Sequence, residues 1–200
     1  MDRARKRPGM TQTLADHKTA ARKAAFAARK AAHAAGQRSA PASVTNKFMA
    51  TAAFRSAAII AGYRPIRTEI DPTQLMAELH CQGCRLAVPV IVAEATPLVF
   101  REWWPGAPME DGAFGAEIPV DGADLVPDLV IVPLLAFDGA GYRLGYGGGF
   151  YDRTLEGLRK SGSVQAVGLA YAAQEVTEVP REPTDQKLDA IVTDTGVIWP

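Results

Sequence analysis

Residues 145–149 read Gly-Tyr-Gly-Gly-Gly, and no regular element readily absorbs four glycines in five positions. Glycine loses more backbone freedom on folding than any other residue, so such a cluster belongs where a Cβ would block a close approach or forbid a positive φ. Upstream, "DLVIVPLLAFDGAGY" reads as a buried strand; downstream, "YDRTLEGLRKSG" has helical spacing and stops at Gly162. The chain must therefore fold around a glycine-built junction between a strand and a helix. Arg143 and Arg153 flank it, with Arg143 expected at the carboxyl end of the strand, and Asp152 enters the first turn of the helix. Backbone N–H groups in such a turn, with the helix N-terminus behind them, suit an anion such as a phosphate. In open α/β sheets, ligands gather at the carboxyl ends of strands. Neither familiar phosphate template fits. There is no GxxxxGK[ST], and Phe150 stands where the dinucleotide fingerprint needs its third glycine. A tight turn without a ligand is the plainer alternative, as is Asp152 serving only as a partner of the helix dipole rather than of a metal.

The surrounding pattern alternates. From Asp16 to about Ala35 the chain is alanine-rich with basic residues at helical spacing, which predicts a helix capped by Asp16 and closed by Gly36. Its apolar face is mostly methyl groups, so it must lean closely on its neighbour. "GQRSAPAS" reads as a linker, and Ser43 as the cap of a second helix running to Ile60. Asp71-Pro72 opens a helix over "TQLMAELHCQG". "RLAVPVIV" and "PLVFREWW" predict two strands separated by a turn, "MEDGAFGAEIPVDGADLVP" a loop, and "VQAVGLAY" and "LDAIVTDTGVIW" two further strands. Strands interleaved with helices predict a three-layer α/β/α sandwich around a largely parallel or mixed sheet, preceded by the basic alanine-rich helix. Residues 1–14 have no period and are expected to be a flexible tail, with residues 15–200 forming a single domain.

Charge narrows the function. Residues 1–38 carry ten Lys/Arg against two Asp/Glu, and the remainder carries twelve against twenty, so a basic arm precedes an acidic body. Such an arm can bind nucleic acid, direct transit, or bring cations to an anionic ligand. Phe26 is the sole aromatic in residues 1–38 and no nucleic-acid motif accompanies it, so nucleic acid is not expected as a partner. No apolar run approaches the roughly 20 residues that cross a bilayer, so no membrane is expected either. Cys81 and Cys84 form one CxxC, half of a zinc site and too little for a disulfide framework, which fits the cytoplasm.

The stretch "AFDGAGYRLGYGGGFYDRTL" closely resembles the signature of the 5-formyltetrahydrofolate cyclo-ligase (methenyltetrahydrofolate synthetase) family, and the similarity runs in order along most of the chain. Lys18-Thr-Ala-Ala-Arg22 resembles the family's N-terminal Lys-x-x-x-Arg. "YRPIRTEID" is similar to its strand ending in a glutamate, here Glu69; "VPV" and "LVFREW" resemble the next two strands; "GAFGAEIP" resembles the loop over the folate. "EVPREPTDQKLDAIVTD" resembles the C-terminal segment with a second metal-binding aspartate. Two departures stand out: Ile118 rather than a glutamate precedes Pro119, with Glu117 one position earlier, and Ala21 replaces a leucine before Arg22.

The resemblance implies an enzyme that takes 5-formyltetrahydrofolate and ATP with Mg²⁺ to 5,10-methenyltetrahydrofolate, ADP and phosphate; a monomer is expected.

 

The formamide oxygen is a poor leaving group, so in that chemistry it takes the γ-phosphoryl, the N10 amine attacks the activated carbon, and phosphate departs as the ring closes. Phosphoryl transfer asks mainly for positioning and charge neutralisation. By the same resemblance, Arg143 and Lys18 are the catalytic cations. Lys18, Arg22 and Arg143, the turn Gly145, Tyr146, Gly147, Gly148 and Gly149, and Phe150 and Tyr151 hold the nucleotide. Glu69, Phe114, Phe150 and Tyr151 surround the folate, and Asp152 and Asp185 bind Mg²⁺, with Asp189 a rival for the second position. Lys18 and Arg22, four apart, share one helix face, so the basic arm has an anionic ligand to serve. A divergent member acting on another substrate by the same activation is the alternative.

Overall fold

The computed structural model describes residues 13–36 and 38–200, so the expected tail lies outside the described residues except for Thr13 and Leu14. The first helix, α1, spans Leu14–Gly36. Its cap is Thr13 rather than Asp16: Thr13 Oγ1 accepts from Asp16 N–H at 3.2 Å, while Asp16 Oδ2 accepts from Thr13 N–H at 2.9 Å. This is a reciprocal capping pair, with Asp16 as the third helical residue. The Thr13 hydroxyl also donates to the same carboxylate oxygen. These bonds hold the Asp16 carboxyl below its usual range.

The second helix, α2, spans Ala40–Ala50, earlier and shorter than the expected Ser43 to Ile60. Proline at Pro41 needs no N–H partner in a first turn, so the helix starts inside the expected linker. Ile59–Ala61 instead form strand β1, because β-branched residues suit the pleated centre of a sheet. Helix α3 (Thr73–Cys81) follows, with Asp71 Oδ1 accepting from Thr73 N–H at 2.9 Å, so the aspartate restrains the helix entry as expected. Then come β2 (Arg85–Val90), β3 (Val99–Trp103), β4 (Met109–Asp111) and β5 (Glu117–Pro119). The central β6 (Leu129–Pro133) is followed by the short pair β7 (Ala136–Phe137) and β8 (Arg143–Leu144). Helix α4 (Phe150–Ser161) precedes β9 (Gln165–Ala170), β10 (Ala190–Thr193) and β11 (Val197–Ile198).

Seven strands form one sheet in the order β11-β10-β9-β6-β1-β2-β3. The five inner strands run parallel, and the edges β3 and β11 pair antiparallel. Register puts Ile60 beside Leu86 and Leu129, and Ala61 beside Ala87 and Val130. The first set packs under α2 and α3 through Val44, Phe48, Leu75 and Met76; the second packs under α4 through Leu155. That alternation makes the α/β/α sandwich with its mixed edges. Among the described residues no helix is long and apolar enough to cross a membrane.

Two hairpins at the carboxyl side of the strands were not legible as such. The expected loop holds the antiparallel pair β4–β5. The long apolar run expected as one strand breaks after Pro133, and β7 returns as β8. Asp138 makes that return: its Oδ1 accepts from Ala140 and Tyr142 N–H, and its Oδ2 from Val179 N–H. Arg143 therefore opens β8 rather than ending a strand of the main sheet. Helix α1 leans on this hairpin through Ala25, against Leu135, Ala136, Leu144 and Val179. Its methyl face finds the close neighbour it needs.

Candidate active site

The glycine turn leaves β8 and delivers the chain into α4. Gly147 and Gly149 take positive φ, 103° and 65°, which side chains resist. Clearance matters as well as conformation: a Cβ on Gly147 would come within 3.1 Å of the Arg22 guanidinium carbon, and one on Gly149 within 2.6 Å of Arg153 Nη1. Arg22 Nε donates to Gly145 O at 3.1 Å, and Arg153 Nη2 to Gly148 O at 2.6 Å. Glycine thus allows two guanidinium groups to lie against the turn. Gly148 is confined from the other side by the Phe150 ring, while a Cβ on Gly145 would meet open space.

Beside the turn runs a chain of opposite charges. Arg143, 9% exposed, donates through Nη2 to Asp152 Oδ1 at 2.8 Å and through Nη1 to Gln186 O. Gln186 N–H donates back to Asp152 Oδ1 at 2.9 Å. One residue earlier, Asp185 Oδ2 accepts from Lys18 Nζ at 2.8 Å and from Glu182 N–H at 2.7 Å. The planar fork of Arg143 thereby ties the start of α4 to the 182–186 segment, and Lys18 ties that segment to α1. Among the described residues, the hydrogen bonds to Asp152 end on Oδ1 and those to Asp185 on Oδ2, which leaves the second oxygen of each carboxylate available to a cation. Asp189 lies elsewhere: its Oδ2 accepts from Ala166 N–H and pairs with Arg159, at the amino end of β9.

On the other side of the turn, the Tyr146 hydroxyl donates to Glu69 Oε1 at 2.9 Å and accepts from Arg29 Nη2 at 2.6 Å. Arg29 is fully buried, and its Nη1 lies 3.7 Å from the same Glu69 oxygen. Glu69 Oε2 accepts from Ile66 N–H. Burial pushes the Glu69 carboxyl above its usual value, against the pull of that N–H and of Arg29. Burial, then the Glu69 charge, push the Tyr146 hydroxyl up to about 12. Burial likewise raises Tyr151, which feels the fields of both Glu69 and Arg143. At neutral pH both tyrosines are therefore neutral, and Tyr146 is the hydroxyl that donates to the buried carboxyl.

Arg29 escaped the sequence reading, although a signal was present. Lys18, Arg22, Ala25 and Arg29 step by four, three and four, so a single face of α1 carries three cations toward the body. Phe114 caps the hairpin β4–β5 at φ 58° and is 75% exposed, with its ring edge-on to Phe150 at 6.4 Å. A strained, exposed aromatic beside a second aromatic is suited to stacking on a flat ligand. Lys18, Arg22, Glu69, Phe114, Arg143, Asp152, Asp185 and the whole run Gly145–Tyr151 are thus linked through the turn, its flanking ion pairs and the hairpin. Cys81 and Cys84 are free thiols at the end of α3, and among the described residues no three His, Cys, Asp or Glu side chains are grouped as a complete metal site.

Comparison with known proteins points the same way. The profile of the 5-formyltetrahydrofolate cyclo-ligase family matches residues 15–194. The 5-formyltetrahydrofolate cyclo-ligase of Haemophilus influenzae is 35% identical over 158 residues, covering 76% of this chain and 84% of the relative. That of Escherichia coli K12 is 37% identical over 135 residues, covering 64% and 74%. Among solved structures, the NMR structure of Aquifex aeolicus 5,10-methenyltetrahydrofolate synthetase superposes with a TM-score of 0.75 at 29% identity, over 91% of this chain and 92% of that one. The Mycoplasma pneumoniae 5,10-methenyltetrahydrofolate synthetase, at 23% identity and a TM-score of 0.69, shares the fold.

Proposed function

The chain belongs to the 5-formyltetrahydrofolate cyclo-ligase family, and from that premise we propose that it converts 5-formyltetrahydrofolate and ATP to 5,10-methenyltetrahydrofolate, ADP and phosphate, with Mg²⁺, as a cytoplasmic monomer. The observation that carries the reading is that Arg22 and Arg153 bond the carbonyls of one glycine turn while Arg143 and Lys18 hold Asp152 and Asp185 beside it, with the buried Glu69 bonded to that turn's own Tyr146. Four cations on and beside a glycine turn at a helix N-terminus suit a triphosphate, and a carboxyl bonded to a tyrosine hydroxyl suits the pterin of a folate. The phosphorylated formyl oxygen is the intermediate this arrangement serves, with the cations neutralising charge as the phosphoryl moves.

Mg²⁺ usually takes one or two carboxylates and completes its shell with water and phosphate oxygens. Asp152 and Asp185, on segments joined by the Arg143 and Gln186 bonds, fit that demand. The metal would supply charge neutralisation at the phosphates. Lys18 and Arg143 keep the two carboxylates oriented for it, and Glu69 with Tyr146 orients the folate. Phe114 and Phe150 cover the ring and exclude water.

The direct test mixes protein, Mg-ATP and 5-formyltetrahydrofolate and follows the absorbance of the methenyl product. ATP-dependent product growth is expected; ATP hydrolysis with no methenyl product would favour a different acceptor. Asp152→Asn keeps an acceptor for Arg143 and Gln186 but removes the charge, so the Mg²⁺ needed for half-maximal rate should rise with a small change in melting temperature. A collapsed melting temperature with the metal requirement unmoved would make Asp152 structural. Deleting residues 1–12 retains the Thr13 cap and every cation of α1. The ATP Michaelis constant should stay within about threefold, a shift under about 1 kcal/mol. A larger rise would place those residues in the site.

A further inference from the structure

Arg64 follows β1 on the loop that presents Glu69 five residues later, and none of the chemistry above uses it. Its guanidinium sits 5.7 Å over the Trp103 ring, which fixes the plane of the fork. Nη2 pairs with Glu117 Oε2 at 3.1 Å, and Nη1 reaches Thr73 Oγ1 at only 3.5 Å. Nε is buried and has no hydrogen-bond partner among the described residues. A buried N–H of a cation left unpaired is costly, and it calls for an acceptor. The carboxylate in place among the described residues is a poor permanent partner, since the Glu117 side chain is 54% exposed and engages a single nitrogen.

Glu117 opens β5, three residues after Phe114 at the hairpin tip. Arg64 therefore spans the gap between the loop carrying Glu69 and the hairpin carrying Phe114, the two elements assigned above to the folate. A carboxylate arriving there could take Nε and Nη2 together, the side-on fork that arginine offers to carboxylates. We propose that Arg64 is the residue that binds a carboxylate of the substrate's glutamyl arm, and that Glu117 is its stand-in until substrate displaces it. This rests on the reading that a folate is the substrate. The glutamyl arm lies at the far end of the molecule from the reacting formyl group. Arg64 thus acts as a specificity residue, reading the arm rather than touching the chemistry.

The test compares 5-formyltetrahydrofolate with 5-formyltetrahydropteroate, which lacks the glutamate, as the ratio of their kcat/KM values. Arg64→Met should lower that ratio at least about tenfold, the scale of a charge-assisted pair. Glu117→Gln removes the competing charge and should raise it. A ratio unmoved in Arg64→Met overturns the proposal, because an arginine that merely fastens the hairpin would affect both substrates alike. Should Arg64→Met fail to fold, the ratio in Glu117→Gln decides: a ratio unchanged or lowered overturns the assignment. If the unaltered protein turns over neither compound, the folate reading itself fails, and the Arg64 assignment falls with it. If it turns over both, only the ratios bear on Arg64.

Discussion

Arg143→Lys should lower turnover at least about a hundredfold, the loss that follows when a group is displaced by about 1 Å from its productive position. The substitution keeps the charge, so a point-charge role predicts little change. What it removes is the fork: Nη2 holds Asp152 Oδ1 while Nη1 holds Gln186 O, and an ammonium on a flexible stem cannot hold both in fixed directions. Asp152 and the 182–186 segment, which carries Asp185, then lose their common anchor. The Mg²⁺ concentration for half-maximal rate should therefore rise together with the fall in kcat. Arg143 is nearly buried, so circular dichroism and the melting temperature must accompany the kinetics. Near-normal turnover with an unchanged metal requirement would show that the charge alone suffices and that the fork is dispensable.

That role differs from the one its sequence position suggests, and the difference shows what a sequence can carry. The parallel strands were legible because each is a short run of apolar residues buried on both faces, as in Leu129–Pro133. The glycine turn was legible because few other structures use such a composition. The break after Pro133 was not, since an apolar run looks the same whether it stays in one sheet or folds back on itself. The clue lay in Asp138 and Gly141, whose turn was submerged in the hydrophobic signal. The start of helix α2 reads too late from sequence because Ser43 offers a familiar cap, while Pro41 marks the true start. The thirteenth residue was hidden by the opposite habit: Asp16 looks like a cap by itself, and only the pair Thr13 and Asp16 reveals the third-position role. Glu69, proposed above for the folate, was legible through its motif. Arg29 was not, because a buried arginine is rare and an alanine-rich helix face suggests solvent.

Arg29→Met carries the largest expected effect on stability. The side chain is fully buried, and its three nitrogens reach Thr68 Oγ1, Leu134 O and the Tyr146 hydroxyl. Removing one member of a buried charge pair typically costs about 3–5 kcal/mol, because the other is left uncompensated. Here the other is Glu69, whose carboxyl burial already holds above its usual value. Without Arg29 it should rise further. For an acid whose folded pKa exceeds its unfolded one, the unfolded chain binds fewer protons between the two values, so stability falls as pH rises through that window. The deficit of Arg29→Met should accordingly be smallest in acid, near the unfolded value of about 4.5, and widen toward neutral pH as ionising Glu69 becomes the cost. Chemical denaturation across that range reads it directly. Adding Glu69→Gln removes the stranded carboxylate, so the double variant should be more stable at neutral pH than Arg29→Met alone and should lose the pH slope. A deficit that is flat with pH, or a double variant no better than the single one, would mean that Arg29 stabilises the fold through its bonds to Leu134 and Thr68 rather than through Glu69.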